Sequence, residues 1–194
     1  MSKFLKGYSV DKFKSKKPPS NNSFDTAQEI KQLAKIPMNK KFVVEKDNVF
    51  STFKKVSKSK GVEYPGEDVK QLIDESEPFI MELKNHFDRP RPKVIAKKMN
   101  IELDDIELKT MKTPSYPSGH SIQGHLIGNY LAAKNPRAKS AFIKAAKDIS
   151  YSRNVAHAHY KSDSRFGDEI GRDMFKFIKQ NGNIQSNTNK KEKD

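Results

Sequence analysis

Between Asp163 and Ile178, the residues Phe166, Ile170, Met174 and Phe177 recur at intervals of three and four. That spacing puts them on one face of an α-helix and cannot build the alternating face of a strand. The same period returns along most of the chain. Ser23 can cap a helix that turns Ala27, Ile30 and Ala34 inward and stops before Pro37. Phe42, Val49, Phe53 and Val56 mark a second helix closed by Gly61, and Asp68 to Phe87 a third with Val69, Leu72, Ile73, Ile80 and Leu83 on its stripe, kinked at Pro78. A fourth starts after Gly119 and buries Ile122, Leu126, Ile127, Tyr130 and Leu131; Asn135-Pro136 opens a fifth, and the sixth runs from Asp163 to Ile178. Strand signals are nearly absent, so the reading is an all-α helical bundle.

Two charges interrupt this pattern. On the fifth helix the stripe Phe142, Ala146, Ile149 continues to Arg153, and on the sixth Met174, Ile170 and Gly167 lead back to Asp163. A buried unpaired charge costs several kcal/mol, so each needs a partner. The plain reading pairs them with each other. The functional reading makes an anion pocket, because histidines fall beside both.

Three clusters supply what a phosphate ester needs: Lys84-x6-Arg91-Pro92, then Pro117-Ser118-Gly119-His120, then Ser152-Arg153-x5-His159-x3-Asp163. Lys84, Arg91 and Arg153 can neutralise ester oxygens, arginine through a planar fork and lysine as a point charge. The Ser118-Gly119 step adds backbone N–H groups at a helix N-terminus, where an anion is favoured. His159 is the candidate nucleophile, with Asp163 holding one ring nitrogen so that the other is free to attack phosphorus. His120 is the candidate acid for the leaving alcohol. His86, His157 and Tyr116 are candidates for the pocket wall, and His125 is expected to lie away from the site.

These clusters match the signature of the type 2 phosphatidic acid phosphatase and vanadium haloperoxidase superfamily. The wording around them, Lys84 to Pro92 and Ser115 to Ser121, most resembles the bacterial class A nonspecific acid phosphatases, with the likeness covering about residues 67–178. The resemblance implies a metal-independent acid phosphatase acting through a phosphohistidine, with no cofactor. It assigns phosphate binding to Lys84, Arg91, Ser118, Gly119 and Arg153, the acid to His120, the nucleophile to His159 and its partner to Asp163. It also implies that vanadate would bind as an inhibitor or, in a haloperoxidase-like alternative, as a cofactor, and that the chain could form homo-oligomers.

Composition sets the remaining bounds. With 34% hydrophobic residues the core is expected to be lean, and no apolar run approaches the ~18 residues of a bilayer span. Met1 to Gly7 lacks the apolar stretch of a secretory signal, so the expectation is a cytoplasmic protein not inserted in membranes. The absence of cysteine excludes disulfides and thiolate chemistry. A net charge of +14 invites nucleic acid, but its lysines are scattered and no aromatic platform accompanies them, so small phosphoesters are the expected partners and specific nucleic-acid binding is not. Residues 1–22 read as a flexible basic arm, 23–180 as the domain and 181–194 as a disordered tail. Two further readings are a zinc hydrolase using His157, His159 and Asp163, and a basic protein binding polyanions through its tails.

Overall fold

The computed structural model describes residues 2–182 and 184, and among these the regular structure is helical with no strand. The helices are α1 (Phe24–Ala34), α2 (Lys40–Asp47), α3 (Val49–Lys60), α4 (Gly66–Phe87), α5 (Pro92–Lys98), α6 (Gly119–Lys134), α7 (Lys139–Val155) and α8 (Lys161–Gln180), with short 3-10 turns at Asp11–Phe13, Lys109–Lys112 and Pro136–Ala138. The all-α expectation holds. No helix among the described residues is long and apolar enough to cross a membrane.

Local chemistry sets the helix ends. Ser23 Oγ accepts the N–H of Thr26 at 3.1 Å and starts α1. Gly61, at φ 62°, ends α3 in the left-handed conformation that glycine adopts without strain. The single helix expected from Phe42 to Gly61 is two. Asn48 is extended and its Oδ1 accepts the N–H of Ser51 at 2.8 Å, so it caps α3 and breaks the run. The hydrophobic period passes through this corner unchanged, which is why the sequence pattern missed it. The short helix α5 was also not expected, and α7 begins after a 3-10 turn at Pro136–Ala138 rather than at Asn135.

Helix α6 is the centre, packed most extensively on α7 and α8. Its neighbours come close because glycines face the contacts. A Cβ at Gly171 would stand 2.4 Å from the carbonyl oxygen of Ile122, and one at Gly167 would stand 2.7 Å from that of Ser118. Without them α8 could not seat its first turn against the start of α6, where Ser118 N–H donates to the Asp163 carbonyl at 3.2 Å.

The first 22 residues are not a flexible arm. Phe4, Leu5, Tyr8, Val10 and Phe13 are buried in the main core. Glu75 of α4 accepts the backbone N–H groups of Lys3, Phe4 and Leu5 at 2.6, 2.9 and 2.8 Å, and Tyr8 Oη donates to Asp173 at 2.8 Å. The lysines that made this segment read as solvated keep their ammonium ends outward, where Lys12 meets Asp173 at 2.7 Å and Lys14 meets Glu82 at 2.6 Å. The stretch 181–194, expected as a tail, lies outside the described residues apart from Asn181, Gly182 and Ile184.

Phe4 is 1% exposed and meets Tyr130 edge-on, with ring centroids 5.6 Å apart. Replacing it with Ala is expected to destabilise the fold by about 3–5 kcal/mol, the range for a buried aromatic. Urea unfolding checks this; a change near zero would restore the flexible arm.

Candidate active site

Asp163 occupies the first turn of α8, where its Oδ2 accepts the N–H of Tyr160 at 3.1 Å and so caps its own helix. The same oxygen accepts Ser115 Oγ–H and lies 3.2 Å from His159 Nδ1, while Oδ1 accepts Arg89 Nη1 at 2.7 Å. An ionised carboxylate only accepts, so His159 Nδ1 carries the proton and Nε2 the lone pair. That lone pair accepts Arg91 Nη1 at 2.8 Å. Burial, and then the cations Arg91, Lys84 and Arg153, holds His159 well below the ordinary imidazole range. Burial pushes Asp163 up to about 6 against the opposing pull of Arg89, Ser115 and Tyr160.

His159 and Arg153 face a cavity of about 500 Å³, which Lys84, Arg91, Gly119, His120 and Asp47 also line. Lys84 is 4% exposed and donates to the Pro114 carbonyl. Burial and then Arg91 bring it down to about 7. Arg91 donates through Nε to the Thr113 carbonyl at 2.9 Å and through Nη1 to that of Ala158 at 2.9 Å; burial lowers it to about 10, which leaves it charged at neutral pH. Arg153 is 1% exposed, donates to Asp47 Oδ1 at 2.8 Å, and has a buried Nη2 with no acceptor among the described residues.

His120, in the first turn of α6, lies with Nε2 2.9 Å from the Asp47 carbonyl oxygen and 3.4 Å from its carboxylate. Burial lowers His120 while Asp47 pulls it back up. The hydrogen bond to His120 and the Arg153 guanidinium hold Asp47 down at about 2, against its partial burial.

Of the expected site residues, Lys84, Arg91, Gly119, His120, Arg153 and His159 therefore converge on one cavity, with Asp163 directly behind His159. Ser118 does not line it. Its Oγ accepts the N–H of Ser121 at 3.3 Å to cap α6, and its own N–H is taken by Asp163. Three wall candidates stand elsewhere. His86 Nε2 lies 3.1 Å from the Lys14 carbonyl oxygen and Tyr116 Oη donates to that of Lys16 at 2.8 Å, so both fasten the N-terminal segment. His157 has Nδ1 2.7 Å from the Asp104 carbonyl and Nε2 2.9 Å from that of Ile36, which commits its ring to structure and separates it from His159. His125 meets Asp168 of α8 at 3.0 Å, away from the cavity as expected.

Arg153 and Asp163 do not pair with each other. Their partners are Asp47 and Arg89, neither of which was singled out in the sequence. Arg89 is 2% exposed, spans Asp163 and, at 3.3 Å, Glu29 of α1, and lies over the Tyr160 ring at 3.7 Å. Its signal was present in Asp88-Arg89-Pro90-Arg91, two arginines in an extended proline-punctuated stretch of which only the second belongs to the quoted motif. Asp47 carried no such signal beyond standing before a capping asparagine.

The sequence pattern of the PAP2 superfamily matches residues 76–180, more than half of the chain. The protein belongs to that superfamily. Among characterised proteins, the non-specific acid phosphatase of Salmonella typhimurium (strain LT2) is 30% identical over 88 residues, which cover 45% of this chain and 35% of that protein. The chain thus spans about a third of the length of that relative.

Arg89→Met would leave Asp163 buried without its cation, a loss expected to cost about 3–5 kcal/mol. Because Asp163 loses its charge as pH falls through about 6, the cost should be larger at pH 8 than at pH 5. Denaturant unfolding at the two pH values checks this.

Proposed function

We propose that the protein is a phosphatase that hydrolyses small phosphomonoesters through a phosphohistidine, with no metal and no cofactor. The family and the acid phosphatase relative support the phosphatase class. The observation that carries the reading is Arg153 Nη2, a buried guanidinium donor without an acceptor, in a cavity that Lys84 and Arg91 also line. An unmet buried donor costs about 1–3 kcal/mol, and a phosphoryl oxygen would supply the missing acceptor.

The phosphoryl group would lie among Lys84, Arg91, Arg153 and the N–H of Gly119, one of the first-turn donors of α6 that has no partner within its helix. His159 Nε2 attacks phosphorus as the bond to the leaving oxygen breaks, and His120 gives that oxygen its proton. Asp163 steadies the imidazolium-like charge that develops on His159. Water then attacks phosphorus, His120 takes its proton, and the phosphorus–nitrogen bond breaks to return His159 with its lone pair. Asp47 positions His120 and Arg153 together. Vanadate, five-coordinate among the same donors, would inhibit.

His159→Ala is expected to lower kcat on p-nitrophenyl phosphate by at least about 10³-fold with the fold intact, the scale of losing a nucleophile. Wild-type turnover should persist in excess EDTA and fall to vanadate. Turnover lost to EDTA, or kept by the variant, would overturn the reading.

The same groups set a pH profile. kcat/KM should rise as Asp163 ionises near 6 and fall as Lys84 loses its proton near 7, with inhibition by inorganic phosphate weakening through the upper limb. A flat profile between pH 5 and 8 would count against both roles.

A further inference from the structure

The cavity is far larger than one phosphoryl group, and only its inner end is taken up by the groups described above. Its outer end is walled by the 3-10 turn Lys109–Lys112 on one side, and by Phe50, Ile73, Met81 and Glu77 on the other. Lys109 and Lys112 also line an adjoining cavity of about 640 Å³, so the turn stands as a partition between two open spaces. Neither lysine has an ion-pair partner among the described residues. Nearby Lys93, by contrast, is neutralised by Asp105 at 2.8 Å.

The turn is tied to the inner end of the site. Arg91 Nη2 donates to the Thr110 carbonyl at 3.4 Å, Arg91 Nε to that of Thr113 at 2.9 Å, and Lys84 Nζ to that of Pro114. Two of the three cations that would bind the phosphoryl group, Lys84 and Arg91, therefore also set where Lys109 and Lys112 stand. Around the cavity, Lys84, Arg91, Arg153, Lys109 and Lys112 face two carboxylates, Asp47 and Glu77. Asp47 is spent on Arg153 and His120, and Glu77 is exposed on α4, where it accepts Gln123 Nε2 at 3.4 Å. A phosphoryl dianion at the inner end leaves Lys109 and Lys112 set against a single carboxylate, Glu77, so the outer end keeps a net positive charge.

We infer that the substrate is a phosphomonoester whose leaving group carries a second anionic group, and that Lys109 and Lys112 bind that group. This rests on the phosphatase reading and narrows it to bisphosphorylated or similarly doubly anionic small molecules. The exposed lysines act mainly on binding, through charge that salt screens.

A matched pair tests it: glucose 1,6-bisphosphate against glucose 6-phosphate, with p-nitrophenyl phosphate as a substrate whose leaving group lacks the second charge. Phosphate release is followed for the full chain, for K109Q/K112Q, and for K54Q/K58Q, which removes the same charge from exposed positions outside the cavity lining. The expected result is a preference for the bisphosphate of at least about tenfold in kcat/KM at low salt, shrinking as salt is raised. That ratio should fall towards one in K109Q/K112Q through KM, hold in K54Q/K58Q, and return in K109R/K112R. Equal kcat/KM for the pair, or a ratio that K109Q/K112Q leaves in place, would overturn the inference while the phosphatase reading stands. Faster turnover of p-nitrophenyl phosphate than of the bisphosphate, unmoved by K109Q/K112Q, would overturn it too and assign the outer end to an apolar group on Phe50, Ile73 and Met81. No phosphate release from any of the three would overturn the phosphatase reading and the inference with it.

Discussion

One fully buried carboxylate holds the site together. Asp163 accepts from Arg89 in the α4–α5 connection, from Ser115 in the segment before α6, from the backbone at the start of its own helix, and from His159. Segments remote in sequence meet on its two oxygens. Removing such a charge from water costs several kcal/mol, and only a full set of donors with a cation among them makes the position tolerable. The satisfied carboxylate also fixes the tautomer of His159 and leaves Nε2 aimed at the cavity. The close approach of α8 to α6 that Gly167 and Gly171 permit is a condition of this arrangement, since it seats the turn carrying Asp163 against Ser118.

A second ionic centre, built on Asp47, lines the same cavity as His159. Asp47, a third exposed at its side chain, meets Arg153 at 2.8 Å and His120 at 3.4 Å. The two centres differ in kind. Burial raises Asp163, whereas its neighbours lower Asp47. The contrast follows from position: Asp163 lies inside the bundle, and Asp47 stands at the open α2–α3 corner that Asn48 creates. A helix running unbroken from Phe42 to Gly61 would not have turned the chain at Asp47.

Much of this is legible in the sequence. Period and caps placed α1, α4, α6 and α8, because amphipathic stripes and residues such as Ser23 and Gly61 act locally. The three motifs placed Lys84, Arg91, His120, Arg153 and His159 in one cavity, and stripe positions marked Arg153 and Asp163 as charges in need of partners. What could not be read was tertiary. Nothing local says that Arg89 rather than Arg153 neutralises Asp163, or that His86 and Tyr116 spend their polar atoms on the carbonyls of Lys14 and Lys16. The N-terminal segment was misread for a related reason. Its lysines dominate the composition, while Phe4, Leu5, Tyr8, Val10 and Phe13 follow no regular period, so their burial is decided by the surface they meet on α4, α6 and α8.

The two arginines of the cavity are poised differently in the free protein. Arg91 is saturated: its donors reach the carbonyls of Thr113, Ala158 and Thr110 and the lone pair of His159. In the proposed reaction an arriving phosphoryl group would have to displace at least the contact to His159 before that nitrogen could attack, so binding at Arg91 would exchange one hydrogen bond for another. Arg153 holds its Nη2 donors in reserve, and an anion binding there would add a bond without breaking one. A satisfied donor returns little net free energy on exchange, whereas a buried unmet donor returns the penalty it carried. In the proposed phosphohistidine reaction, Arg153 would thus be the stronger anchor of the phosphoryl oxygens, and Arg91 the residue that keeps His159 Nε2 covered until they arrive.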